Sequence, residues 1–411
     1  MSGLINENVF RNFVKFVHRS KFLQIARYLR DVILTLLIFP IALLIRLISP
    51  IILIRTGGTM GARIGHFATN IDMYLCEKDH NLHPKRSFDI FFHPLLICNY
   101  QVKKMWDRHP DLYINQFAWL LYHGSKILPG SERYEIHTYG CDKKNVFNKS
   151  DMHLQFTAEE DAAAKKELKN IGIEAGSTFI CIIGRDSEYL KATSSLDYSG
   201  HNYRDSNIEN YLLAAKELAD RGHFVLRMGA HVEKAIKSND PKIIDYATKG
   251  YRTDLLDVYT AAKCHFFIGG NTGLDSLPVA FRRPLVTVNY MPIEFVRGHY
   301  SDNLIIFKKH WLKKEKRFMT FREIIESGAG TFYHAELFEQ QGIELIENTS
   351  EEIRDVTIEM DERIKGTWET TEQDEKLQRQ FWSLFKPTEL NPHFCCRTGA
   401  KYLRQNRDLI G

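Results

Sequence analysis

The sequence predicts an α/β fold, with parallel strands flanked by helices, preceded by a helical segment suited to a membrane surface. Three observations carry this expectation. Short apolar runs alternate with segments of helical period, as "TFICIIG", "HFVLRMG", "CHFFIGG" and "PLVTVNY" do between residues 178 and 290. Two apolar runs end in small, flexible residues and hand over to helical patterns, in "RTGGTMGARIGHF" and "GGNTGLDS". The N-terminus joins a basic stretch to an apolar one.

A chain of 411 residues exceeds what one hydrophobic core usually supports, so two globular domains with additions are expected. Lys and Arg outnumber Asp and Glu by only 55 to 51, and no basic-aromatic stripe or known module accompanies them, which argues against nucleic acid as a partner. The seven cysteines contain no C-x-x-C pair and read as reduced, cytosolic and structural.

In chain order, Arg11, Lys15, Arg19, Lys21, Arg27 and Arg30 accompany Phe10, Phe13, Val14 and Val17 at helical spacing, which makes a basic amphipathic helix. Fourteen uncharged residues, Val32 to Ile45, follow before Arg46. A spanning helix needs about 20 apolar residues, so the alternatives are attachment to one leaflet, a bare span, or burial against the protein itself. After Pro50, "IILI" reads as a strand, the glycine-rich turn follows, and "ATNIDMYLCEK" has helical spacing. "SFDIFFH" and "QVKKMWDRH" form the next strand and helix. Polar, aperiodic composition from Pro129 through "CDKKNVFNKSDMH" marks a linker. Thr157 and Glu160 then make a capping-box pattern that opens a helix. The four strands quoted above follow with helices between them, then "GIELI", a helix opened by Thr349 and Glu352, and terminal helices expected to pack back on the first domain. The domains expected are thus 1–49, 50–155, 156–348 and 349–411.

Strand ends in the second domain deliver polar groups to one edge of the sheet: Arg185 and Asp186, Arg227, and the segment Gly270, Asn271, Thr272, Gly273 with Ser276. Arginine forks match phosphate oxygens, and free N–H groups at a helix start attract anions, so this edge is expected to hold a diphosphate. Singly, each arginine reads equally as a surface salt bridge. Between the first two strand ends, "DYSGHNYRDSNIENYLLAA" is long and polar, as a recognition loop is, and Arg204 is its candidate contact. In the first domain the turn fails both G-x-G-x-x-G and the P-loop pattern. It presents Arg63 and His66, with His66 the candidate general base and Asp72 the reserve. No strict Asp-x-Asp or paired-histidine spacing occurs, so no metal or other cofactor is expected. "KKHWLKKEKR" reads as a solvated helix face or a membrane-facing patch.

These residues resemble GT-B glycosyltransferases, and "GGNTGLDSLPVAFRRPLVTVN" is similar to the donor-diphosphate segment of heptosyltransferase-like and fucosyltransferase-like enzymes. Together, "RIGH", "GRDSEYL", "HNYRDSNIENYL", "LRMG" and "GGNTGLDSLP" look like a family of bacterial glycosyltransferases associated with surface-polysaccharide gene clusters, over roughly residues 50 to 360. The resemblance implies two Rossmann-like domains facing a cleft. It also implies a nucleotide diphosphate sugar as donor, held by Arg185, Arg227, Asn271, Thr272 and Gly273, and a glycan or lipid-linked acceptor near Arg63 and His66, at the cytoplasmic face of a bacterial inner membrane. Heptosyltransferases tend to place an acidic residue in the acceptor loop; here His66 stands there, and Asp72 is the first aspartate. A nucleotide-sugar epimerase and a non-catalytic sugar-binding scaffold are the alternatives.

Overall fold

The computed structural model describes residues 21–411 except 127, 194–196 and 390. Of the basic helix expected over residues 8–30, residues 8–20 lie outside the described residues and residues 21–30 are helical. Helix α1 (Lys21–Ile48) continues through Pro40 and carries Arg46 in its last turn, so the charge does not interrupt it. Among the described residues no helix is long and apolar enough to cross a membrane. α1 buries Ile38 and Ala42 and leaves Ile33, Leu36, Leu37, Leu44 and Leu47 exposed.

Strands β1 (Leu53–Gly58), β2 (Ser87–Phe92) and β3 (Tyr113–Ile114) form a parallel sheet in that order. Between them lie α2 (Ile64–Asp79) and α3 (Tyr100–Asp107), and α4 (Phe117–Ser125) follows β3 and packs through Leu121 on Ile38 and Ala42 of α1. β1 begins later than the apolar run suggests and runs into the glycines. Gly57 and Gly58 pair with Phe91 and Phe92, and a Cβ on Gly57 would stand 2.8 Å from that of Ile136. Those two glycines serve close packing instead of a flexible turn.

α5 (Ala158–Asn170) starts at the expected Thr157–Glu160 capping box. A seven-stranded parallel sheet then forms from β4 (Phe179–Ile182), β5 (Phe224–Arg227), β6 (Ile243–Ile244), β7 (Phe267–Gly269), β8 (Leu285–Tyr290), β9 (Asn303–Phe307) and β13 (Arg397–Thr398), in the order β13-β9-β8-β7-β4-β5-β6. Strands β10 (Lys309–Leu312), β11 (Arg317–Phe318) and β12 (Ile343–Ile346) make a small antiparallel sheet. The lysine-rich run read as a helix face is therefore a hairpin whose β10 strand pairs "IELI".

Both faces of the large sheet are covered, as its largely apolar strands require. Along β4, Phe179 and Cys181 belong to one apolar cluster and Ile180 and Ile182 to the other. The first cluster takes in Phe67, Ile71 and Leu75 of α2, so the small sheet's helix and the large sheet share one core. The second takes in α6 (Ser350–Lys365), opened by its Thr349–Glu352 capping box, and α7 (Glu372–Trp382) through Leu377 and Phe381. The terminal helices, expected on the first domain, thus cover the large sheet: their apolar stripes need an apolar face, and β13 pairs with β9 beside them.

Candidate active site

β4 and β5 are parallel neighbours, so Arg185, just past β4, and Arg227, the last residue of β5, share the carboxyl edge of the sheet. They line a cleft of about 250 Å³ with Asp186, Asp205, Lys234 and Glu347. That is just under the usual 300–1,000 Å³ of ligand pockets, enough to enclose part of a nucleotide-sized ligand. Arg185 is buried and ion-paired to Asp205, yet its second terminal nitrogen has no partner, and the same holds for Nε of Arg204 and Nε of Arg227. Burial lowers the Arg185 guanidinium to about 10, and neighbouring Arg204 pushes the same way. Buried polar atoms are normally satisfied, so three guanidinium nitrogens left over mark a place for an anion.

Lys308 belongs to this cluster although its sequence context hid it. It immediately follows β9, is buried, and donates to the Asp205 carbonyl at 2.6 Å. Burial lowers its ammonium to about 8, with Glu347 raising it and Arg185 lowering it further. The rule that picked Arg185, a cation just past an apolar strand, also finds Lys308 once "NLIIF" is read as a strand.

Asp186 and Arg227 shape the cleft as well as line it. The Asp186 carboxylate accepts the N–H groups of Glu188 and Glu233, tying the loop after β5 to the loop after β4. Arg227 reaches the Asp245 carboxylate at 3.4 Å and the Lys234 carbonyl at 3.1 Å.

The segment 270–276 departs from its expected role. Asp275 accepts from both the N–H (2.9 Å) and the hydroxyl (2.6 Å) of Thr272. Burial raises the Asp275 carboxyl to about 6, against hydrogen bonds from Thr272 and from the Asn271 N–H that pull it down. The amides meant for a phosphate already serve a carboxylate, and the helix behind them, Ser276–Ala280, has only five residues. Asn271 takes a left-handed backbone (φ 59°) and donates its side-chain amide to the Met291 carbonyl. The loop acts as a spacer: a Cβ on Gly270 would meet the Arg185 amide at 3.4 Å, and at the far end Gly273 abuts Gly65.

That second contact brings the glycine-rich turn of the small sheet to the cationic edge. A Cβ on Gly65 would stand 3.1 Å from Gly273 and from Oγ of buried Ser276. His66, next in sequence, is half-buried and holds Oδ1 of Asn70 with Nδ1 at 3.3 Å. Asn70 donates its amide nitrogen to the Thr138 carbonyl at 3.2 Å, which fixes which end faces the imidazole. Nδ1 therefore carries the proton and Nε2 the lone pair. Burial lowers the His66 pKa, Arg297 and Arg63 lower it further, and the Asn70 bond opposes them, so the ring is neutral at physiological pH. Arg63 is exposed and reaches the Tyr198 hydroxyl of the long loop at 3.1 Å.

Asp72 stands apart. It is fully buried, held by Arg282 at 2.7 Å and by His153 at 2.7 Å, and cannot meet a substrate. It ties α2 to the loop after the helix Ser276–Ala280 instead of serving as a base. Asn70, Arg297, Asp275 and Lys308 were missed in the sequence because each owes its place to a fold contact that no local pattern records.

No known family model matches the chain, and no curated protein matches it. Solved structures similar to it include ADP-heptose lipopolysaccharide heptosyltransferase II of E. coli (13% identity, 62% of this chain and 89% of that one, TM-score 0.34). A glycosyltransferase of family 9 from Veillonella parvula shows 11% identity over 75% of this chain and 96% of that one (TM-score 0.42). The iron-containing dodecameric glycosyltransferase TibC of enterotoxigenic E. coli shows 12% identity over 58% and 59% (TM-score 0.31). At these scores the likeness carries no argument about this chain.

Proposed function

We propose that this protein is a glycosyltransferase that moves a sugar from a nucleotide diphosphate donor to the hydroxyl of a glycan or lipid-linked acceptor in surface-polysaccharide synthesis. The observation that carries this reading is the cleft at the sheet edge lined by Arg185 and Arg227, each with a buried guanidinium nitrogen that lacks a partner, with Arg204 beside Arg185 in the same state. In this reading Arg185, Arg204 and Lys308 receive the charge that grows on the departing diphosphate, the role a divalent ion fills elsewhere. His66 Nε2 takes the proton of the acceptor hydroxyl as the new bond to the sugar forms and the sugar–phosphate bond breaks. The Gly65–Gly273 contact brings the loops of the two groups together. The units 50–155 and 156–348 serve as acceptor side and donor side. The exposed apolar stripe of α1, next to the basic stretch in the sequence, suits the cytoplasmic face of a membrane and a lipid-linked acceptor.

The test is a thermal-shift screen against UDP, GDP, CDP, ADP, dTDP and their sugars, with and without EDTA. A ligand that binds only the folded state raises the melting temperature by mass action. A shift with one diphosphate that survives EDTA and vanishes in Arg185→Ala supports the reading. No shift with any of them overturns it.

A further inference from the structure

Thr178, His223 and His265 each precede a strand, β4, β5 and β7, which are adjacent in the sheet. They therefore lie along the amino edge, a strand's length from Arg185 and Arg227. Asp361 of α6 reaches this edge fully buried. Its Oδ1 stands 3.1 Å from Nε2 of His223 and 3.5 Å from Nε2 of His265. Its Oδ2 takes Lys365 at 2.8 Å and Arg221 at 3.2 Å. The two carboxylate oxygens are thus divided, one for fixed cations and one for imidazoles.

Oδ1 is shared between the two imidazoles. His223 Nδ1 lies 2.7 Å from the Thr178 hydroxyl and Nε2 lies 3.1 Å from Oδ1; in the tautomer whose Nδ1 proton the hydroxyl accepts, Nε2 bears a lone pair, and in the other Nε2 donates to Oδ1. Lys365, which can only donate, approaches the same Nε2 at 3.4 Å, in keeping with a lone pair there. In the first tautomer a cation between Nε2 and the carboxylate oxygen completes the pairing. His265 Nε2 is also buried without a hydrogen-bond partner. With Zn–N distances of 2.0–2.1 Å, two ligands on a tetrahedron stand about 3.3 Å apart, and the separations of 3.1 and 3.5 Å bracket that value. Thr178 on the far ring nitrogen is the kind of outer partner that orients a metal-binding histidine.

We propose that His223, His265 and Asp361 form a zinc site that staples α6 to the amino edge of the large sheet, separate from the candidate active site. Lys365 is its competitor: a partly exposed side chain that partners Asp361 while the metal is away. The other cluster of potential ligands, Asp72, Cys76 and His153, differs because both ring nitrogens of His153 are taken, by Asp72 and Asp79, and Arg282 bridges Asp72 and Cys76. No spacing in the sequence announces the proposed site, since its ligands come from three separate elements.

The test uses the full chain stripped with chelator and titrated with Zn²⁺ against a chromophoric competitor, with Co²⁺ as a spectroscopic probe. The expected result is one Zn²⁺ per chain and intense visible Co²⁺ bands of tetrahedral character. His265→Gln should weaken binding at least tenfold, and Thr178→Val by about tenfold. Lys365→Met, which removes the competitor without touching a ligand, should tighten binding, and Cys76→Ser should leave it unchanged. Absence of stoichiometric binding to both the parent chain and Lys365→Met overturns the proposal, as does undiminished binding in a folded His265→Gln.

Discussion

Replacing Asp72 by Asn separates a structural reading of this residue from a chemical one. Its carboxylate is fully buried and neutralises Arg282 at 2.7 Å while holding His153 at 2.7 Å. The amide removes the charge and keeps the shape, leaving two cationic groups at the seam without their anion. Breaking a buried pair from one side costs about 3–5 kcal/mol. At roughly 2–4 °C per kcal/mol for mid-sized domains, the melting temperature should fall by roughly 6–20 °C. The pH dependence is a second signature. Burial alone would lower the His153 pKa, but hydrogen bonds, first to Asp72 and then to Cys76, raise it to about 10. A folded pKa above the unfolded value of about 6.5 stabilises fully below pH 6.5, and that contribution is lost as pH rises through 10. Differential scanning fluorimetry at pH 6, 8 and 10 should therefore show a parent protein that loses stability over this window, and an Asp72→Asn variant, with only Asp79 left on His153, that loses less. A variant melting within about 1 °C of the parent at pH 6, with the same slope, would refute the structural role. If it also lost turnover, Asp72 would return as a candidate base.

Four other outcomes are expected. His66→Ala should lower turnover by about 10²–10⁴ while nucleoside diphosphate binding by calorimetry is retained; with the imidazole pKa pushed below 6.5, turnover in the parent should rise with pH through a midpoint below 6.5, and a midpoint above 7 would contradict the base assignment. Asn70→Leu removes the partner that fixes the tautomer and should lower kcat with little change in KM, measured in steady state. Gly65→Val forces a branched side chain against Gly273 and Ser276 and should cost about 1–3 kcal/mol in urea unfolding. A diphosphate arriving beside Lys308, whose pKa has fallen to about 8, should draw a proton onto the ammonium at pH 8, seen in calorimetry as a dependence on buffer ionisation enthalpy that disappears in Lys308→Met.

The layered α/β pattern was legible because parallel strands buried on both faces are short apolar runs, and the runs at 178–184, 223–229, 264–270 and 284–290 all became strands, trimmed at their ends. The capping boxes at Thr157 and Thr349 were legible because their chemistry is local. Position beyond the local chain was not. "KKHWLKKEKR" carries so much charge that its strand period is masked, yet β10 pairs with β11 as a hairpin and with Ile343–Ile346 on its other edge. At the site, Arg185 and Arg227 could be anticipated from strand ends. The pairing of Asp275 with Thr272 could not, because a buried carboxylate taking over a loop's amides looks, in sequence, like an ordinary helix start. Asp72 was misread for a related reason: its partners Arg282 and His153 are remote in the chain, so nothing nearby warned that its charge was already spent.

The late arrival of β13 bears on how the chain emerges from the ribosome. β9 has β8 on one side and, on the other, only the two-residue strand Arg397–Thr398, whose backbone is held by Gln378. Everything else in the large sheet is synthesised before that strand appears, so throughout that interval β9 offers an open row of amides and carbonyls to any neighbouring nascent chain. An unpaired edge on an all-apolar strand invites aggregation. Release before residue 398 would yield a chain whose large sheet has its other strands but no guard on that side.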